Sequence, residues 1–135
     1  MTSVVALQNY GLVRIGRIEL SDDLIFSIIF ELDEAKTWQK SIYAFVVGGE
    51  IKRIGSSNYY LRDRFHKWNH DVTNALHGKK SDTPSWEAEE WRKCLQAHKG
   101  GEVYARVAWY AAIEILSKST TGRSQSSQAS STRSN

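Results

Sequence analysis

The segment between residues 41 and 57 constrains the fold more than any other part of the chain. SIYAFVV (41–47) is a nearly unbroken apolar run, and the shorter run IKRIGSS (51–57) follows it after Gly48-Gly49-Glu50. A run of this length with few polar residues is typical of a buried strand. Two consecutive glycines suit the positive φ angles of a tight hairpin turn. The pattern predicts two antiparallel strands joined at these glycines.

The next segment predicts an amphipathic helix, because its apolar residues recur at spacings of three and four. These residues are Leu61, Phe65, Trp68, Val72 and Leu76. We expect Ser56-Ser57-Asn58 to provide the N-cap and Gly78 to end the helix. A second helix is predicted to begin with Pro84 at its first position and to end at Gly100-Gly101.

Further elements are predicted on either side of this unit. Two apolar runs, 12–20 and 24–32, are separated by Ser21-Asp22-Asp23 and predict another hairpin, although the second run is equally compatible with a buried helix. The alternating segment 102–109 predicts a strand, and 110–118 predicts a short final helix. Ser, Thr, Gln and Arg dominate from residue 119 onwards without an apolar anchor, which predicts disorder.

The length of 135 residues suits one domain. We expect an α/β (α+β) protein in which a small mixed or antiparallel sheet is flanked by helices. Residues 1–40 would form an N-terminal strand extension packed on the core, residues 41–118 the core, and residues 119–135 a disordered tail. The strand extension and the loop 77–85 are candidates for target recognition or dimer contact.

Charge and composition narrow the class of protein. The formal net charge of +3 permits a polyanionic partner without requiring one. Between Lys52 and Lys80, seven residues are basic and two are acidic, which gives a local net charge of +5. This charge fits either a phosphate-binding face or a solvated helix surface. The single cysteine, Cys94, excludes an internal disulfide and fits a reducing compartment. No apolar run long enough to span a membrane and no secretory signal is visible, so we expect a cytoplasmic protein.

The segments SIYAFVV, IKRIGSS and LRDRFHKW, in this order, are similar to the core of the GIY-YIG nuclease superfamily. Ser41-Ile42-Tyr43 occupies the first triplet of that family and Arg53-Ile54-Gly55 the second, with Tyr43 and Arg53 ten residues apart. The family's functional arginine lies three residues after a leucine, which selects Arg64. The family's glutamate on a later helix matches Glu114. The resemblance covers roughly residues 41–118 and points to the restriction-endonuclease-like branch.

The resemblance implies a DNA endonuclease that hydrolyses phosphodiester bonds with one divalent metal ion, Mg²⁺ or Mn²⁺. Tyr43 would act as general base, supported by a neighbouring cation, Lys52 or Arg53. Arg64 would bind the scissile phosphate with its planar guanidinium. Glu114 would hold the metal through oxygen. Sequence-specific cutting of both strands needs two active sites, so a homodimer is the economical arrangement.

Some residues of the family's pattern are replaced here. Arg53 stands where tyrosine is usual, and Trp68 stands four residues after Arg64, where the family often has His or Tyr. The asparagine that often follows the glutamate is absent. A register that uses Arg62 and His66 therefore stays open, as does a catalytically inactive DNA-binding or protein-interaction module. Further basic residues are expected to contact DNA: Arg62, Lys67, Lys79 and Lys80.

Other assignments compete with these roles. Glu87, Glu89 and Glu90 are alternatives to Glu114. The pairs His66/His70 and Cys94/His98, each spaced i, i+4, would offer four zinc ligands if the two helices brought them together. Trp68, on the apolar stripe, is interpreted as a core residue, and Gly55 as a position that requires close backbone approach or a turn.

Overall fold

Residues 4–108, which the computed structural model describes, form three α-helices, one 3-10 helix and five strands. The elements are α1 (Val4–Asn9), β1 (Val13–Leu20), β2 (Phe26–Phe30), the 3-10 helix (Asp33–Thr37), β3 (Ser41–Val47), β4 (Glu50–Ser57), α2 (Leu61–Leu76), α3 (Ser85–His98) and β5 (Gly101–Val107). The strands form a single sheet in the order β2-β1-β5-β3-β4, and every neighbouring pair is antiparallel. The predicted α+β class, with an antiparallel sheet and flanking helices, is confirmed.

Strand β5 is the centre of the sheet although it comes last in the described chain. It pairs with β1 on one side and with β3 on the other. The N-terminal pair of strands and the hairpin of residues 41–57 are thus joined through it into one sheet. Every residue of β3 is buried. This explains why its sequence is a nearly continuous apolar run rather than an alternating one.

The two faces of the sheet are covered by different helices. Helices α2 and α3 cover one face, over a large cluster of buried apolar side chains that includes Phe26, Phe45, Phe65, Trp91 and Val103. A smaller cluster on the opposite face includes the α1 residue Leu7 together with Leu12, Ile42, Ala44 and Tyr104. Within residues 4–108 no helix is long and apolar enough to cross a membrane.

The strands and helices predicted within residues 4–108 occur, but the helix capping differs from prediction. Both N-terminal runs contribute strands, and Gly48 and Gly49 have the expected positive φ angles of 62° and 80°. The predicted N-cap is wrong, because α2 is preceded by Tyr60 and has no side-chain cap. Ser57 Oγ instead donates a hydrogen bond to the Tyr59 carbonyl and accepts one from the Tyr59 amide.

The boundaries of α3 also shift slightly. Pro84 is the N-cap of α3 rather than its first helical residue. Lys99 closes the helix in the left-handed conformation, with φ of 58°, and Gly101 already belongs to β5. Helix α1 and the 3-10 helix were not predicted. The predicted final helix (110–118) and tail (119–135) lie outside the described residues.

Helix α2 is fixed to the edge of the sheet by two polar side chains on its inner face. The amide of Ile28 in edge strand β2 donates to Asn69 Oδ1 at 2.8 Å, and the amide of Phe26 donates to Thr73 Oγ1 at 2.9 Å. These bonds satisfy backbone donors that an edge strand would otherwise leave unpaired. Because Asn69 and Thr73 lie one turn apart, they also fix the rotation of α2 about its axis. That rotation decides which α2 side chains face β3 and β4.

We predict that Asn69→Ala lowers the free energy of unfolding by about 1–3 kcal/mol, because it leaves the Ile28 amide without its acceptor in a partly buried setting. The measurement is urea denaturation followed by circular dichroism. Asn58→Ala is the matched control, since Asn58 is exposed, and it should change stability by less than about 0.5 kcal/mol. Equal effects of the two substitutions would contradict the proposed role of Asn69.

Candidate active site

Tyr43, in the middle of β3, points into the space between the sheet and α2. Its side chain is 3% exposed, and its ring centroid lies 5.2 Å from those of Phe45 and Phe65. The hydroxyl oxygen accepts a hydrogen bond of 3.0 Å from Nε1 of Trp68 on α2. The phenol is therefore held by apolar rings around its body and by an indole N–H at its tip.

Gly55, the last residue of the second triplet, pairs with Tyr43 across the β3–β4 ladder. A Cβ atom at Gly55 would lie 2.5 Å from both the hydroxyl oxygen and Cζ of Tyr43. Only glycine lets the phenol lie this close to β4. The close backbone approach predicted for Gly55 is confirmed.

An irregularity in β4 turns two consecutive cationic residues towards α3. Phe45 pairs with Arg53 while Val46 pairs with Ile51, so Lys52 is an extra residue without a partner in the ladder. Such a bulge locally breaks the alternation of side chains between the two faces. Lys52 and Arg53 consequently both line a cleft of about 260 Å³ between β4 and α3, together with Trp86, Glu87, Glu90, Trp91 and Cys94.

Arg53 is held by two contacts at the wall of this cleft. Its guanidinium carbon lies 5.0 Å from the ring centroid of Trp68, and Nη1 lies 3.1 Å from Oε2 of Glu87 on α3. Arg53 is therefore linked to Tyr43 through the indole that both side chains contact. Two of the three carboxylates considered as alternative metal ligands are paired with arginines, Glu87 with Arg53 and Glu89 with Arg92.

Arg64 lies one helical turn before Trp68, on the same side of α2, where residues four apart are neighbours. Its side chain is partly buried, and within residues 4–108 it forms no hydrogen bond or ion pair. Arg62 lies roughly 160° around the helix axis from Arg64. The Arg62 guanidinium is above the ring of Tyr60 and beside Asp63. The structure thus brings Arg64, and not Arg62, to the side of α2 that carries Trp68.

Several of the remaining predicted site residues lie on a different surface from the cleft between β4 and α3. His66 and Lys80 line a pocket of about 460 Å³ together with Lys67, His70, Asp71, Ser81 and Asp82. Lys67 Nζ donates to Asp71 and Asp82 at 2.8 Å each, and these bonds raise the pKa of Lys67 above its usual value. Lys52 pairs with Glu50 at 3.3 Å. Lys79 is exposed. The DNA-binding roles of Arg62, Lys67, Lys79 and Lys80 remain predictions.

The clustering of potential metal ligands tests the zinc hypothesis. Among residues 4–108, no group of three or more His, Cys, Asp and Glu side chains could hold a metal ion, so the zinc hypothesis is wrong for His66, His70, Cys94 and His98. Burial also raises the pKa of the Cys94 thiol, which disfavours the thiolate that zinc requires. Glu114, the predicted magnesium ligand, lies outside the described residues.

The contacts of Trp68 and Glu87 were not predicted from sequence. Trp68 was assigned to the core, and its ring does pack beside Phe45 and Trp91. The sequence signal for a site role of Trp68 is its position four residues after Arg64, where the family often carries His or Tyr. No comparable sequence signal identified Glu87, because its contact with Arg53 joins residues 34 positions apart.

This arrangement of sheet, hairpin and helices defines a fold found among endonucleases. The chain is similar to a solved structure of bacteriophage T4 EndoII in which a glutamate is mutated to alanine, with a TM-score of 0.56, 21% identity, and 78% of this chain and 73% of that one covered. It is also similar to the restriction endonuclease HPY188I in complex with product DNA, with a TM-score of 0.54, 14% identity, and 94% and 84% covered. No family model and no curated protein matches the sequence. At these identities the similarity establishes the fold.

We predict that Gly55→Ala displaces the Tyr43 ring and lowers the free energy of unfolding by about 1–3 kcal/mol, because the ring is wedged between Phe45 and Phe65 and has no room to withdraw. Chemical denaturation measures the loss. Ser56→Ala, at the neighbouring exposed position of β4, is the control and should be close to neutral. A Gly55→Ala protein as stable as wild type would argue against the close contact.

Proposed function

We propose that the protein is a DNA endonuclease that hydrolyses phosphodiester bonds. The observation that carries the proposal is the hydrogen bond from the Trp68 indole to the Tyr43 hydroxyl, with the Arg53 guanidinium over the same indole ring. Arg64 lies one helical turn before Trp68 on α2. The two triplets and the helix of the family pattern select Tyr43, Arg53 and Arg64 from the sequence, while Trp68 departs from that pattern. The fold shared with two endonucleases supports the assignment.

Each of these side chains suits one requirement of phosphodiester hydrolysis. A water molecule attacks phosphorus and its proton passes to the Tyr43 oxygen acting as base. The bond to the leaving oxygen breaks, and that oxygen leaves as an alkoxide that takes a proton from solvent. The indole N–H of Trp68 donates a hydrogen bond to the Tyr43 oxygen and fixes its position. The partly buried Arg64 has no competing carboxylate within residues 4–108, so its guanidinium is available to bind the phosphoryl oxygens in the transition state.

A divalent cation, Mg²⁺ or Mn²⁺, completes the proposal. Mg²⁺ commonly uses one or two protein carboxylates, substrate phosphate oxygens and water, so a single glutamate such as Glu114 is chemically sufficient on the protein side. When bound, the cation would supply charge neutralisation at the phosphate. Residues 4–108 supply the arginines but no metal-ligand cluster, so the metal rests on the resemblance.

The biological setting that we propose is restriction-type cleavage in the cytoplasm by a homodimer. One active site per chain cuts one strand, so double-strand cleavage calls for two copies. Arg62, Lys67, Lys79 and Lys80 are the proposed contacts with the DNA backbone. Sedimentation of the protein with and without DNA tests the homodimer, and a monomer in both conditions would exclude it.

A catalytically inactive DNA-binding or protein-interaction module is the second candidate function. The burial of Tyr43, at 3% exposure, favours it, because a general base has to be reached by water and substrate. The non-ionising Trp68 also favours it. Binding of DNA without metal-dependent cutting would identify this alternative.

We predict that the wild-type protein nicks or linearises supercoiled plasmid in Mg²⁺ or Mn²⁺ but not in EDTA. Tyr43→Phe should lower the single-turnover rate by about 10²–10⁴-fold, the usual contribution of a general base. Arg64→Ala should lower it by about 10²–10³-fold, because it removes a donor to the phosphoryl oxygens. Glu114→Ala should abolish the response to added metal.

Arg62→Ala is the matched control for Arg64→Ala, since the two arginines lie on the same helix but only Arg64 is on the side of Trp68. The control should retain catalysis at saturating enzyme and change chiefly DNA affinity, with a smaller salt dependence. Loss of activity in Arg62→Ala with full activity in Arg64→Ala would instead support the register that uses Arg62 and His66. The absence of any metal-dependent cutting by wild type would overturn the endonuclease proposal.

A further inference from the structure

We propose that Trp68 is a positioning residue that sets the hydroxyl of Tyr43 and the guanidinium of Arg53 at a fixed separation. This inference rests on the proposed endonuclease function. The indole contacts the two side chains in different ways, through its N–H at 3.0 Å from the Tyr43 oxygen and through its ring face, 5.0 Å below the Arg53 guanidinium carbon. A single side chain thereby links the first triplet to the second.

The bond to Tyr43 fixes the direction of the phenol oxygen. An indole nitrogen is a donor only, so the Tyr43 oxygen is the acceptor and its own hydrogen and second lone pair point elsewhere. Because the pair lies among apolar rings, the bond is stronger than it would be in water. The hydroxyl is thus kept in one orientation while it remains able to give or take a proton.

The contact with Arg53 uses a different part of the same ring. The guanidinium carbon lies over the ring while Nη1 donates to Glu87, and within residues 4–108 the Arg53 side chain makes no other hydrogen bond. The other donors remain available for an anion. Trp68 holds the arginine in place without consuming its hydrogen-bonding capacity.

The indole is itself held by packing against two further aromatic residues. The rings of Phe45 and Trp91 meet Trp68 nearly at right angles, at centroid distances of 5.1 Å and 6.3 Å. Rotation of the indole would therefore break its contacts with Tyr43, Arg53 or both. This rigidity is what a positioning role needs.

Trp68 cannot serve as a general acid or base, because its N–H does not ionise in the accessible pH range. It also stands four residues after Arg64, one helical turn further along the same side of α2. A side chain with a fixed donor at this place orients its neighbours rather than exchanging protons with them. The structure therefore assigns Trp68 to positioning and leaves proton transfer to Tyr43.

The test compares Trp68→Phe with Trp68→His in the full-length protein. Phenylalanine keeps an aromatic ring but removes the N–H, whereas histidine carries Nε2 at the ring position that corresponds to Nε1 of tryptophan. We expect Trp68→Phe to lower kcat by about five- to tenfold, the value of one hydrogen bond, with the Kd for DNA in EDTA changed less than about twofold. Trp68→His should recover at least half of the lost rate.

Two further variants separate positioning from simple destabilisation. Trp38→Phe removes a partly buried indole that packs against the same apolar cluster but has no ring contact with Trp68 within residues 4–108. It controls for loss of packing, so its stability loss should not be accompanied by the same fall in kcat. In a Tyr43→Phe background, Trp68→Phe should cause no further loss, because the two act through one oxygen. Additive losses, or no recovery with histidine, would overturn the proposal.

A measurement without catalysis distinguishes failure of this inference from failure of the proposed function. The indole N–H signal of Trp68, identified by its absence in Trp68→Phe, should shift in the ¹H–¹⁵N spectrum of Tyr43→Phe, while the signal of the exposed Trp86 stays in place. An unmoved Trp68 signal would overturn the positioning role even if the protein cuts DNA. A shifted signal in a protein that does not cut would retain the contact and exclude its use in hydrolysis.

Discussion

The hydrogen bond from Trp68 to Tyr43 connects helix α2 to strand β3, and the geometry of the site depends on it. A phenol oxygen buried among Phe45 and Phe65 without a partner would cost roughly 1–3 kcal/mol, so the fold has to bring a donor to that point. The rotation of α2 that delivers the indole is the same rotation that lets Asn69 bind the edge strand β2. One rotation of α2 therefore both stabilises the edge of the sheet and orients the side chains of the site.

The second constraint is the closeness of β4 to the phenol. Gly55 allows the Tyr43 ring to lie against the strand, and two residues earlier Arg53 reaches over Trp68. The bulge at Lys52 then brings a further cation to the same cleft. In a regular strand, the side chain of Lys52 would lie on the opposite face of the sheet, over the apolar cluster that contains Leu7. One irregular residue thus determines how much positive charge the cleft receives.

Features of the fold and the site that arise from neighbouring residues could be predicted from the sequence. Features that join residues far apart in the chain could not. The hairpin of β3 and β4, the helical stripe of α2 and the close approach at Gly55 follow from local patterns, and the structure confirms them. The central place of β5 depends on long-range pairing, which periodicity does not reveal. The bulge at Lys52 and the bond of Arg53 to Glu87 are likewise set by tertiary packing. Ser57 was a reasonable N-cap by residue type, but its hydroxyl is taken by a closer backbone partner, Tyr59.

The charge that a phosphate would meet also depends on tertiary contacts, which the local sequence does not reveal. The net charge of +5 between residues 52 and 80 overstates what a phosphate would meet, because Lys67 is bound by Asp71 and Asp82 and Arg53 by Glu87. A phosphate that binds Nη1 of Arg53 has to replace the Glu87 carboxylate. Arg53 is 48% exposed and Glu87 20% exposed, so the pair lies at the edge of the solvent, and the exchange replaces one anion at the guanidinium by another. During that exchange the guanidinium would still rest on the Trp68 ring, so the arginine can change its anion without losing its place.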